Sequence, residues 1–301
     1  MSHLAVVVVN YASHDLLATH LVPVARVLPG ATVVVVDNFS SADEQRHVRD
    51  LCAEHGWTPV LLEQNLGFGT GVNRAVAALD AGPTHLLLLN PDATIDADSV
   101  SLMVDHVEAH PLDLVAPTVL RPDGAVWATG TDLDLETGSM LSWHRRTGTP
   151  DPARVQPWLS GACLLMRRDL WDRIGGFDDD YFLYWEDVDL SRRVLEAGGS
   201  VAVVPGATAV HDEGGTHRGP DGGGRAKSPT YYYFNSRNRL LFAAKHLSGS
   251  RRRRWSLTAP RASYQILLRG GRRQFAHPRS SLVPAMRGTL DGWRAMRRHR
   301  P

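Results

Sequence analysis

Cysteine and long apolar segments are scarce in this chain of 301 residues. The two cysteines, Cys52 and Cys163, form no C-x-x-C pair, which excludes a disulfide framework and a zinc motif and is typical of a reducing compartment. We expect two core thiols. No apolar run approaches the roughly eighteen residues of a transmembrane helix, and the N-terminus has neither the basic region nor the cleavage site of a signal peptide. These absences predict a cytoplasmic protein.

Charge is balanced overall but not along the chain. The formal charge at pH 7 is +1, yet residues 237–301 contain 17 lysines and arginines against one acid, Asp291. Their net charge is +16, and that of residues 1–236 is −15. With 43% hydrophobic residues, the chain is long enough for one large or two small domains with a full core. The sequence thus combines an acidic globular body with a basic tail.

Apolar runs alternate with amphipathic segments in the first ninety residues. The pattern predicts an α/β fold with a parallel, Rossmann-like sheet covered by helices on both faces. The predicted strands are 4–9, 32–36, 59–62 and 84–89, and the predicted helices are about 15–28, 42–54 and 72–79. Ligands of open α/β sheets bind beyond the carboxyl ends of the strands, so the polar residues there should line one crevice. Those residues are Tyr11, Asp37, Asn65 and Asp92.

Asp37 follows the second strand, where doubly wound folds often place an acid that binds a ribose or a base edge. An Asx turn or a helix N-cap is the structural alternative. The next loop, residues 65–73, is rich in glycine and leads into a helix. Gly67 and Gly69 lack the third glycine of the G-x-G-x-x-G pattern, which argues against a nicotinamide dehydrogenase. Glycines and helix-terminal amides still suit an anion such as a diphosphate.

Asn90, Pro91 and Asp92 follow the strand at 84–89. A carboxylate held there can ligate a hard divalent cation that also binds phosphate oxygens, although Asn-Pro-Asp is also a common turn sequence. Other acid-x-acid pairs follow no buried strand. We expect helix-start and surface acids at these positions, which are Asp96, Asp98, Asp132 and Asp134.

Acidic and aromatic residues are interleaved between Trp158 and Leu190, in WLSGACLLMRRDLWDRIGGFDDDYFLYWEDVDL. Such carboxylates are costly to bury unless they bind a metal, meet a cation or transfer a proton. The alternative is a solvated loop that caps a helix over 188–196, since acids in a first helical turn are favourable.

Short strands are predicted at 114–117 and 125–130, and again at 201–204 and 208–210, just before His211. A glycine-rich segment, 212–227, has the composition of a mobile loop. A lone histidine is more often structural than functional, but the position between a strand and a loop favours a function.

Seven elements occur in a fixed order over about residues 4–245: NYAS, VVDNFSS, NLGFGTGVNRA, LLLNPDA, SGACLLMRR, GGFDDDYFLYWEDVDL and His211. Together they resemble glycosyltransferase family 2, the inverting GT-A class that includes bacterial rhamnosyl- and galactofuranosyltransferases. The resemblance implies a GT-A sheet with helices on both faces, with a nucleotide-sugar-binding half at 1–110 and an acceptor-binding and catalytic half at 111–246. Beyond it, the basic residues of the tail predict a helical C-terminal extension at 247–301.

The resemblance also implies roles for the matching residues. Asp37 would bind the pyrimidine base, with Tyr11, Asn65 and Gly67 around the nucleotide. Asp92 would be the last acid of the metal motif, in which Asn90 replaces the first acid, and His211 would complete a Mn²⁺ or Mg²⁺ site. Asp187 of the Glu186-Asp187 pair would be the general base. The acceptor subsites would be formed by Trp158, Ser160, Gly161, Ala162 and Trp185.

Inversion requires a carboxylate that takes the proton of the acceptor hydroxyl during an in-line displacement. A retaining mechanism through a covalent intermediate is the competing use of an acid pair. The expected function is transfer from a dTDP- or UDP-sugar, with dTDP-rhamnose as one candidate, to a glycan or lipid-linked acceptor. A nucleotide-sugar-binding protein without turnover and a sugar nucleotidyltransferase are the alternatives.

The tail at 251–300 mixes arginine clusters with apolar and aromatic residues. Such a pattern suits peripheral attachment to anionic lipid at the inner membrane face, at about 1 kcal/mol per basic residue near the surface. A clamp onto the acidic body and nonspecific nucleic-acid binding are the alternatives, and we expect no specific nucleic-acid partner. A helix predicted at 231–246, with Arg237 and Asn238, should pair with donor phosphates or with the acidic body. The sequence does not indicate an oligomeric state.

Overall fold

The computed structural model describes residues 3–212 and 227–299, so the loop predicted at 212–227 lies almost entirely outside the described part. The strands of the described residues are β1 (Leu4–Asn10), β2 (Thr32–Asp37), β3 (Thr58–Leu61), β4 (His85–Leu89), β5 (Ala93–Ile95), β6 (Leu114–Leu120), β7 (Val126–Ala128), β8 (Thr131–Asp134), β9 (Met140–Ser142), β10 (Val155–Trp158), β11 (Cys163–Arg167) and β12 (Val201–His211).

A nine-stranded mixed sheet has the order β3-β2-β1-β4-β11-β6-β12-β5, with β7 beside β6. β1, β2, β3 and β4 pair in parallel, as the sequence predicts. β11 runs antiparallel between β4 and β6. A separate sheet of three strands has the order β10-β8-β9.

The helices lie on both faces of the large sheet and at the C-terminal end of the chain. They are α1 (His14–Leu16), α2 (Val22–Val27), α3 (Ala42–His55), α4 (Phe68–Ala77), α5 (Ala97–Ala109), α6 (Arg168–Ile174), α7 (Glu186–Glu196), α8 (Pro229–His246), α9 (Gly249–Leu257), α10 (Ala259–Leu268) and α11 (Leu282–Arg298). A π-helical turn (Leu17–Leu21) joins α1 to α2, and two 3₁₀ turns occupy Trp143–Arg145 and Arg272–Ala276.

Alternate residues of β1 face two hydrophobic cores. Val6 and Val8 pack in one core with residues of α3 and of the π-helical turn, whereas Val7 and Val9 pack in the other core with residues of α4. Full burial of a valine stabilises a protein by about 1.5–3 kcal/mol. A strand with no polar side chain is therefore stable only when both faces are covered, which is why the apolar runs predict this architecture.

Some predicted boundaries are wrong. The helix predicted at about 15–28 is interrupted by the π-helical turn, directly before Pro23, which has no N–H to donate. The helix predicted to begin at Val72 begins at Phe68, after Gly67 with a φ of +88°. β6 runs beyond its predicted end, and β12 is one strand where two were predicted, with a register shift in its middle.

Asp132 is buried, so the prediction of a surface acid is wrong. Its carboxylate accepts hydrogen bonds from Trp143 Nε1 at 2.9 Å and from Arg146 Nε at 2.8 Å, and this ion pair offsets the lost hydration. Asp96 does begin a helix, because its Oδ1 accepts from Ser99 N at 2.7 Å at the start of α5. The two cysteines are buried free thiols, as predicted.

The C-terminal helices pack around α8. Trp255 of α9 is fully buried among residues of α8 and α11. α11 approaches α8 closely at Gly288, where a Cβ would lie 2.2 Å from Tyr233 O. The predicted basic extension is therefore helical and is joined to the preceding helix by a hydrophobic core. Among the described residues, no helix has both the length and the apolar composition needed to cross a bilayer.

Gly67→Ala should destabilise the protein more than Gly56→Ala. Both glycines have a left-handed φ, +88° and +69°, which costs any other residue roughly 1 kcal/mol. A Cβ at Gly56 meets open space, whereas one at Gly67 would lie 2.1 Å from Phe182 O. We expect Gly56→Ala to lower the Tm by about 2–4 °C and Gly67→Ala to lower it clearly further in thermal unfolding. Equal shifts would contradict the close approach of the two loops.

Candidate active site

Asn10, Asp37 and Glu44 form a buried polar network at the carboxyl ends of β1 and β2. The strand register sets Asn10 opposite Asp37, and Asn10 Nδ2 donates to Asp37 Oδ1 at 3.0 Å and to Glu44 Oε1 at 2.8 Å. Glu44 Oε1 also accepts from the N–H groups of Ser13 and His14. Burial alone would raise the pKa of Glu44, but the hydrogen bonds from Asn10 and His14 outweigh it and lower the pKa. Glu44 thus anchors the loop after β1 as a carboxylate.

Asp37 retains an unused acceptor. Its Oδ2 is buried and has no hydrogen-bond partner within the described residues. Burial raises the pKa of Asp37, the Asn10 hydrogen bond opposes the increase, and the charge of Glu44 adds to it. Asp37 is not the helix cap, since Ser41 Oγ accepts from Glu44 N at the start of α3. A buried oxygen without a donor costs about 1–3 kcal/mol, and a ligand N–H would remove that cost. Tyr11 directly follows Asn10, the hydrogen-bond partner of Asp37, and 52% of its surface is exposed.

The glycine-rich loop is tied to the sheet by Asn38, which the sequence analysis missed. Asn38 Oδ1 accepts from Leu66 N, and its Nδ2 donates to Gly67 O, both at 2.9 Å. Asn65 Oδ1 accepts from Gly67 N at 2.9 Å and closes the same turn. The only sequence signal for Asn38 was its position directly after Asp37.

The loop and α4 also hold the acidic segment, which we define as residues 177–189. Phe68 N donates to Phe182 O at 3.0 Å. The amide of Asn73 pairs with the backbone of Phe177, donating to its O and accepting from its N at 2.9 Å each. These contacts join residues more than a hundred positions apart, so no local pattern could identify them. They bring the glycine-rich loop and the expected catalytic segment together.

Asn90, Asp92 and His211 meet beyond the ends of β4 and β12. Asp92 Oδ1 lies 3.0 Å from His211 Nε2, and Asn90 Nδ2 lies 3.4 Å from the same nitrogen. Asp92 and His211 are both buried. The pairing of β12 with β5 sets His211 opposite Ala93, which brings the histidine to Asp92. The structure therefore brings together the residues expected to hold a metal.

This cluster fits a divalent cation. Two ligands at right angles, each about 2.1 Å from an octahedral ion, stand about 3 Å apart, and Asp92 Oδ1 and His211 Nε2 are separated by 3.0 Å. The oxygen of Asn90 can face the same point, since the orientation of an amide is assigned from its hydrogen bonds. A carboxylate, an imidazole and an amide would leave octahedral positions for phosphate oxygens and water.

Glu186 and Asp187 begin α7, and Asp187 faces the turn at 160–162. Asp187 Oδ2 accepts from Gly161 N at 3.3 Å, and its Oδ1 accepts from Val188 N at 2.8 Å. Burial raises the pKa of Asp187 to about 6 in spite of these hydrogen bonds. Burial and the charge of Asp187 raise the pKa of Glu186 well above its ordinary value. The two acids thus favour sharing a single negative charge, with Asp187 as its carrier.

The turn formed by Ser160, Gly161 and Ala162 connects Asp187 to the cluster of Asn90, Asp92 and His211. Gly161 N donates to Asp187, and Asn90 N donates to Ala162 O at 3.0 Å. Ser160 Oγ lies 3.5 Å from Ala162 N. These three residues, expected to line the acceptor subsites, therefore lie between the expected base and the expected metal ligands.

The two tryptophans expected at the acceptor subsites have different surroundings. Trp158 ends β10, and its indole N–H has no partner within the part of the chain described. Trp185 is only 6% exposed and packs against Phe242 and Trp255, with ring centroids 5.7 and 6.1 Å apart. The ring of Trp185 thus packs in the hydrophobic core behind the site.

The backbone before Glu186 is strained. Tyr184 and Trp185 both have a left-handed φ, +65° and +75°, which costs roughly 1–3 kcal/mol for each residue. Asn238 of α8 is fully buried beside them. Its Nδ2 donates to Leu183 O at 3.0 Å and to Tyr184 O at 2.8 Å. Helix α8 therefore contacts the strained turn directly.

Three other acids near the turn, Asp178, Asp180 and Asp189, have basic side chains as partners. Lys245 Nζ lies 2.5 Å from Asp178 Oδ2 and 2.6 Å from Asp180 Oδ2. Asp189 accepts from His246 and Arg193, each at 2.7 Å. Burial would raise the pKa of Asp189, but these two partners lower it below its ordinary value. Of the two partners predicted for the helix at 231–246, the structure shows the acidic body.

Comparisons with known proteins show the family of the chain. The model of the family "Glycosyltransferase like family 2" matches residues 2–256. The N-acetylglucosaminyl-diphospho-decaprenol L-rhamnosyltransferase of Mycobacterium tuberculosis is 35% identical over 171 residues, which are 49% of this chain and 56% of that protein. Rhamnosyltransferase WbbL of Escherichia coli K12 is 27% identical over 194 residues, 60% of this chain and 72% of that protein. The chain thus spans only about half the length of its mycobacterial relative.

Solved structures show the same fold. The mannosyltransferase PcManGT of Pyrobaculum calidifontis, in complex with GDP-Man and Mn²⁺, has a TM-score of 0.57 at 16% identity over 98% of this chain and 86% of that one. GalNAc-T7 with UDP, GalNAc and Mn²⁺ also has a TM-score of 0.57 at 16% identity, over 80% of this chain and 50% of that one. The predicted GT-A architecture is confirmed.

Asp92→Asn should weaken Mn²⁺ binding by at least about ten-fold, because a neutral amide replaces the only carboxylate of the expected ligand set. Asp98→Asn, at an exposed acid of α5, removes the same charge away from the cluster and serves as the control. Titration of Mn²⁺ followed by electron paramagnetic resonance measures both. Wild-type affinity in Asp92→Asn would show that the cation binds elsewhere.

Proposed function

The chain belongs to glycosyltransferase-like family 2, and on this premise we propose that it transfers a sugar from a nucleotide-diphosphate donor to a hydroxyl of a glycan or lipid-linked acceptor, with inversion. In this proposal residues 1–110 bind the donor, residues 111–246 bind the acceptor and react, and residues 247–301 form a basic extension. The observation that carries it is the position of the Asp187 carboxylate, which accepts hydrogen bonds from Gly161 N and Val188 N beside the turn that also contacts Asn90.

Asp187 is the proposed general base. A carboxylate with a pKa near 6 is ionised at neutral pH, yet it holds a proton more strongly than an ordinary aspartate. Its two oxygens are oriented by Gly161 N and Val188 N. As the acceptor oxygen attacks the anomeric carbon, Asp187 takes the hydroxyl proton. The raised pKa of Glu186 favours its neutral form, so it leaves the negative charge on Asp187.

Asp37 is proposed to bind the base of the donor. Its buried, unpartnered Oδ2 can accept a hydrogen bond from the ring N–H that thymine and uracil share. We therefore propose a dTDP- or UDP-sugar. The names of the mycobacterial and E. coli relatives make dTDP-rhamnose our first candidate. Tyr11, Asn65 and Gly67 would surround the nucleotide, and the N-terminal amides of α4 suit the diphosphate.

Asp92 and His211, with Asn90, are proposed to hold Mn²⁺ or Mg²⁺. When bound, such a cation would supply positive charge that stabilises the departing diphosphate. Both side chains are buried, which keeps their ligand atoms in place and excludes bulk water from them. The turn at 160–162 links this cluster to Asp187. In the proposal, this link keeps the leaving-group side and the acceptor side at a fixed separation.

Asp187→Asn should lower transfer by about 10²–10⁴-fold, the usual contribution of a general base, and leave donor binding intact. In the wild type, the rate should fall as the pH drops below about 6, where Asp187 gains a proton. Asp172→Asn, at an exposed acid of α6, is the control. Transfer is followed by chromatography of the product, and donor binding by thermal stabilisation with dTDP-, UDP- and GDP-sugars and Mn²⁺.

The results separate the alternatives. Near wild-type turnover in Asp187→Asn would refute the base assignment. Thermal stabilisation without turnover would favour a binding protein, and pyrophosphate release from a nucleoside triphosphate would favour a sugar nucleotidyltransferase.

We also propose that the C-terminal helices attach the protein to an anionic membrane. α10 and α11 lie side by side, because Ser263 Oγ and Thr289 Oγ1 are 2.6 Å apart. Together with the end of α9, they carry large apolar side chains that are 40–71% exposed. We call this set the outer apolar face: Leu257, Tyr264, Leu268, Val283, Met286 and Leu290.

The basic residues of α9, α10 and α11 fall into two groups. Arg251 donates to Glu136 at 2.5 Å, so it acts as a clamp onto the body. A larger group is exposed on the same helices or directly after them: Arg253, Arg254, Arg261, Arg269, Arg287, Arg294, Arg297 and Arg298. Helices that carry both exposed apolar side chains and exposed arginines suit insertion below anionic headgroups, and a lipid-linked acceptor would be found there.

Leu257→Glu combined with Met286→Glu should weaken binding to vesicles with anionic phospholipid by at least about ten-fold, since burying each apolar side chain contributes about 1.5–3 kcal/mol. These side chains are 71% and 64% exposed, so folding should be unaffected. Leu102→Glu on α5, at 42% exposure, is the control. Co-sedimentation with vesicles measures binding. Equal binding of both variants would refute the proposed surface.

A further inference from the structure

We propose that Asn238 is a positioning residue that holds the strained turn at Tyr184 and Trp185 and so fixes the place of Asp187. The proposal rests on the assignment of Asp187 as the general base. Asn238 does not touch the proposed reacting atoms; it acts through two peptide groups of the turn that precedes α7.

The first observation is the strain of the turn. Tyr184 and Trp185 adopt left-handed φ values of +65° and +75° in succession, without glycine at either position. Strained backbone persists only where the surroundings dictate it, and it often occurs at functional sites. Trp185 is the N-cap of α7, and its side chain makes no capping hydrogen bond. Helix α7 therefore starts from a turn that has no side-chain cap from its N-cap residue.

The second observation is the chemistry of the contact. One amide nitrogen carries two hydrogens, and Asn238 Nδ2 uses them for Leu183 O at 3.0 Å and Tyr184 O at 2.8 Å. The other end of the amide is also held, since Asn238 Oδ1 accepts from Arg237 Nη1 at 2.6 Å. The same Arg237 nitrogen donates to Asp180 O at 3.0 Å. The side chain is thus oriented from both ends and is fully buried.

The third observation is how little chain separates the turn from the base. Trp185 O accepts the first hydrogen bond of α7, from Asp189 N at 2.9 Å, and Asp187 lies within that first helical turn. A change in the two left-handed residues would therefore rotate α7 at its start and move the Asp187 carboxylate away from Gly161 N. A displacement of about 1 Å in a reacting group can lower a rate by about 100-fold.

Asn238→Asp is the test, because it keeps the shape of the side chain and removes both donors. Asn235→Asp is the matched control: Asn235 lies one turn earlier on α8, is also buried, and donates only to Tyr231 O of the same helix, at 3.0 Å. We expect Asn238→Asp to lower kcat by about 100-fold, with little change in the affinity for the nucleotide sugar. Asn235→Asp should retain kcat.

Two further readouts distinguish positioning from a loss of stability. We expect the acid limb of the wild-type kcat profile near pH 6, and it should move toward the ordinary aspartate value in Asn238→Asp as the carboxylate becomes hydrated. Amide hydrogen exchange of the peptide spanning 183–190 should accelerate in this variant and not in Asn235→Asp.

Unchanged kcat and unchanged exchange in a folded Asn238→Asp would overturn the proposal, as would equal effects of the two variants. Absence of transfer in the wild type would instead refute the proposed function, and the exchange comparison would still decide whether Asn238 holds the turn.

Discussion

Carboxylates that have been withdrawn from water are the constraint around which the ligand-facing end of this protein is built. Such a group must find donors, find a cation or take up a proton. Glu44 is satisfied by Asn10 and by the loop backbone, and Asp189 by His246 and Arg193. Asp37 and Glu186 each keep a buried oxygen with no partner in the described parts of the chain. A ligand can supply the missing hydrogen bond to such a group, so these oxygens indicate candidate binding positions.

The basic C-terminal part of the chain has two separable physical roles. Its inner residues belong to the core: Arg239 is buried, lies 4.3 Å from the ring of Trp255, and donates to Thr137 O at 3.0 Å. Burial lowers the pKa of this guanidinium to about 10, which leaves it charged at neutral pH. The outer arginines are exposed and belong to the same C-terminal helices as the outer apolar face. The net charge of +16 therefore comes from two kinds of basic residue. Some are paired inside the structure, and others lie on the surface that we propose to bind lipid.

The parallel half of the sheet could be predicted closely. Runs such as LAVVVVN read as strands because a segment with no polar face must be covered on both sides. β11 could not be placed, since an apolar run of five residues does not specify its neighbours or its direction. Asp132 was misjudged for a related reason: its partners, Trp143 and Arg146, become apparent only when β8 and the following 3₁₀ turn are in place.

Local sequence was sufficient to identify which residues follow the strand ends, and Asp37, Asp92 and His211 were found in this way. That inference depends only on strand order and on the edge at which parallel strands end. The tertiary structure alone decided which acids are neutralised and which remain available. Lys245 reaches Asp178 and Asp180 across more than sixty positions, and the pKa of Asp187 depends on how completely its neighbours exclude water. Whether an acid is paired or desolvated depends on which groups lie near it in space, and the order of residues along the chain does not specify those neighbours.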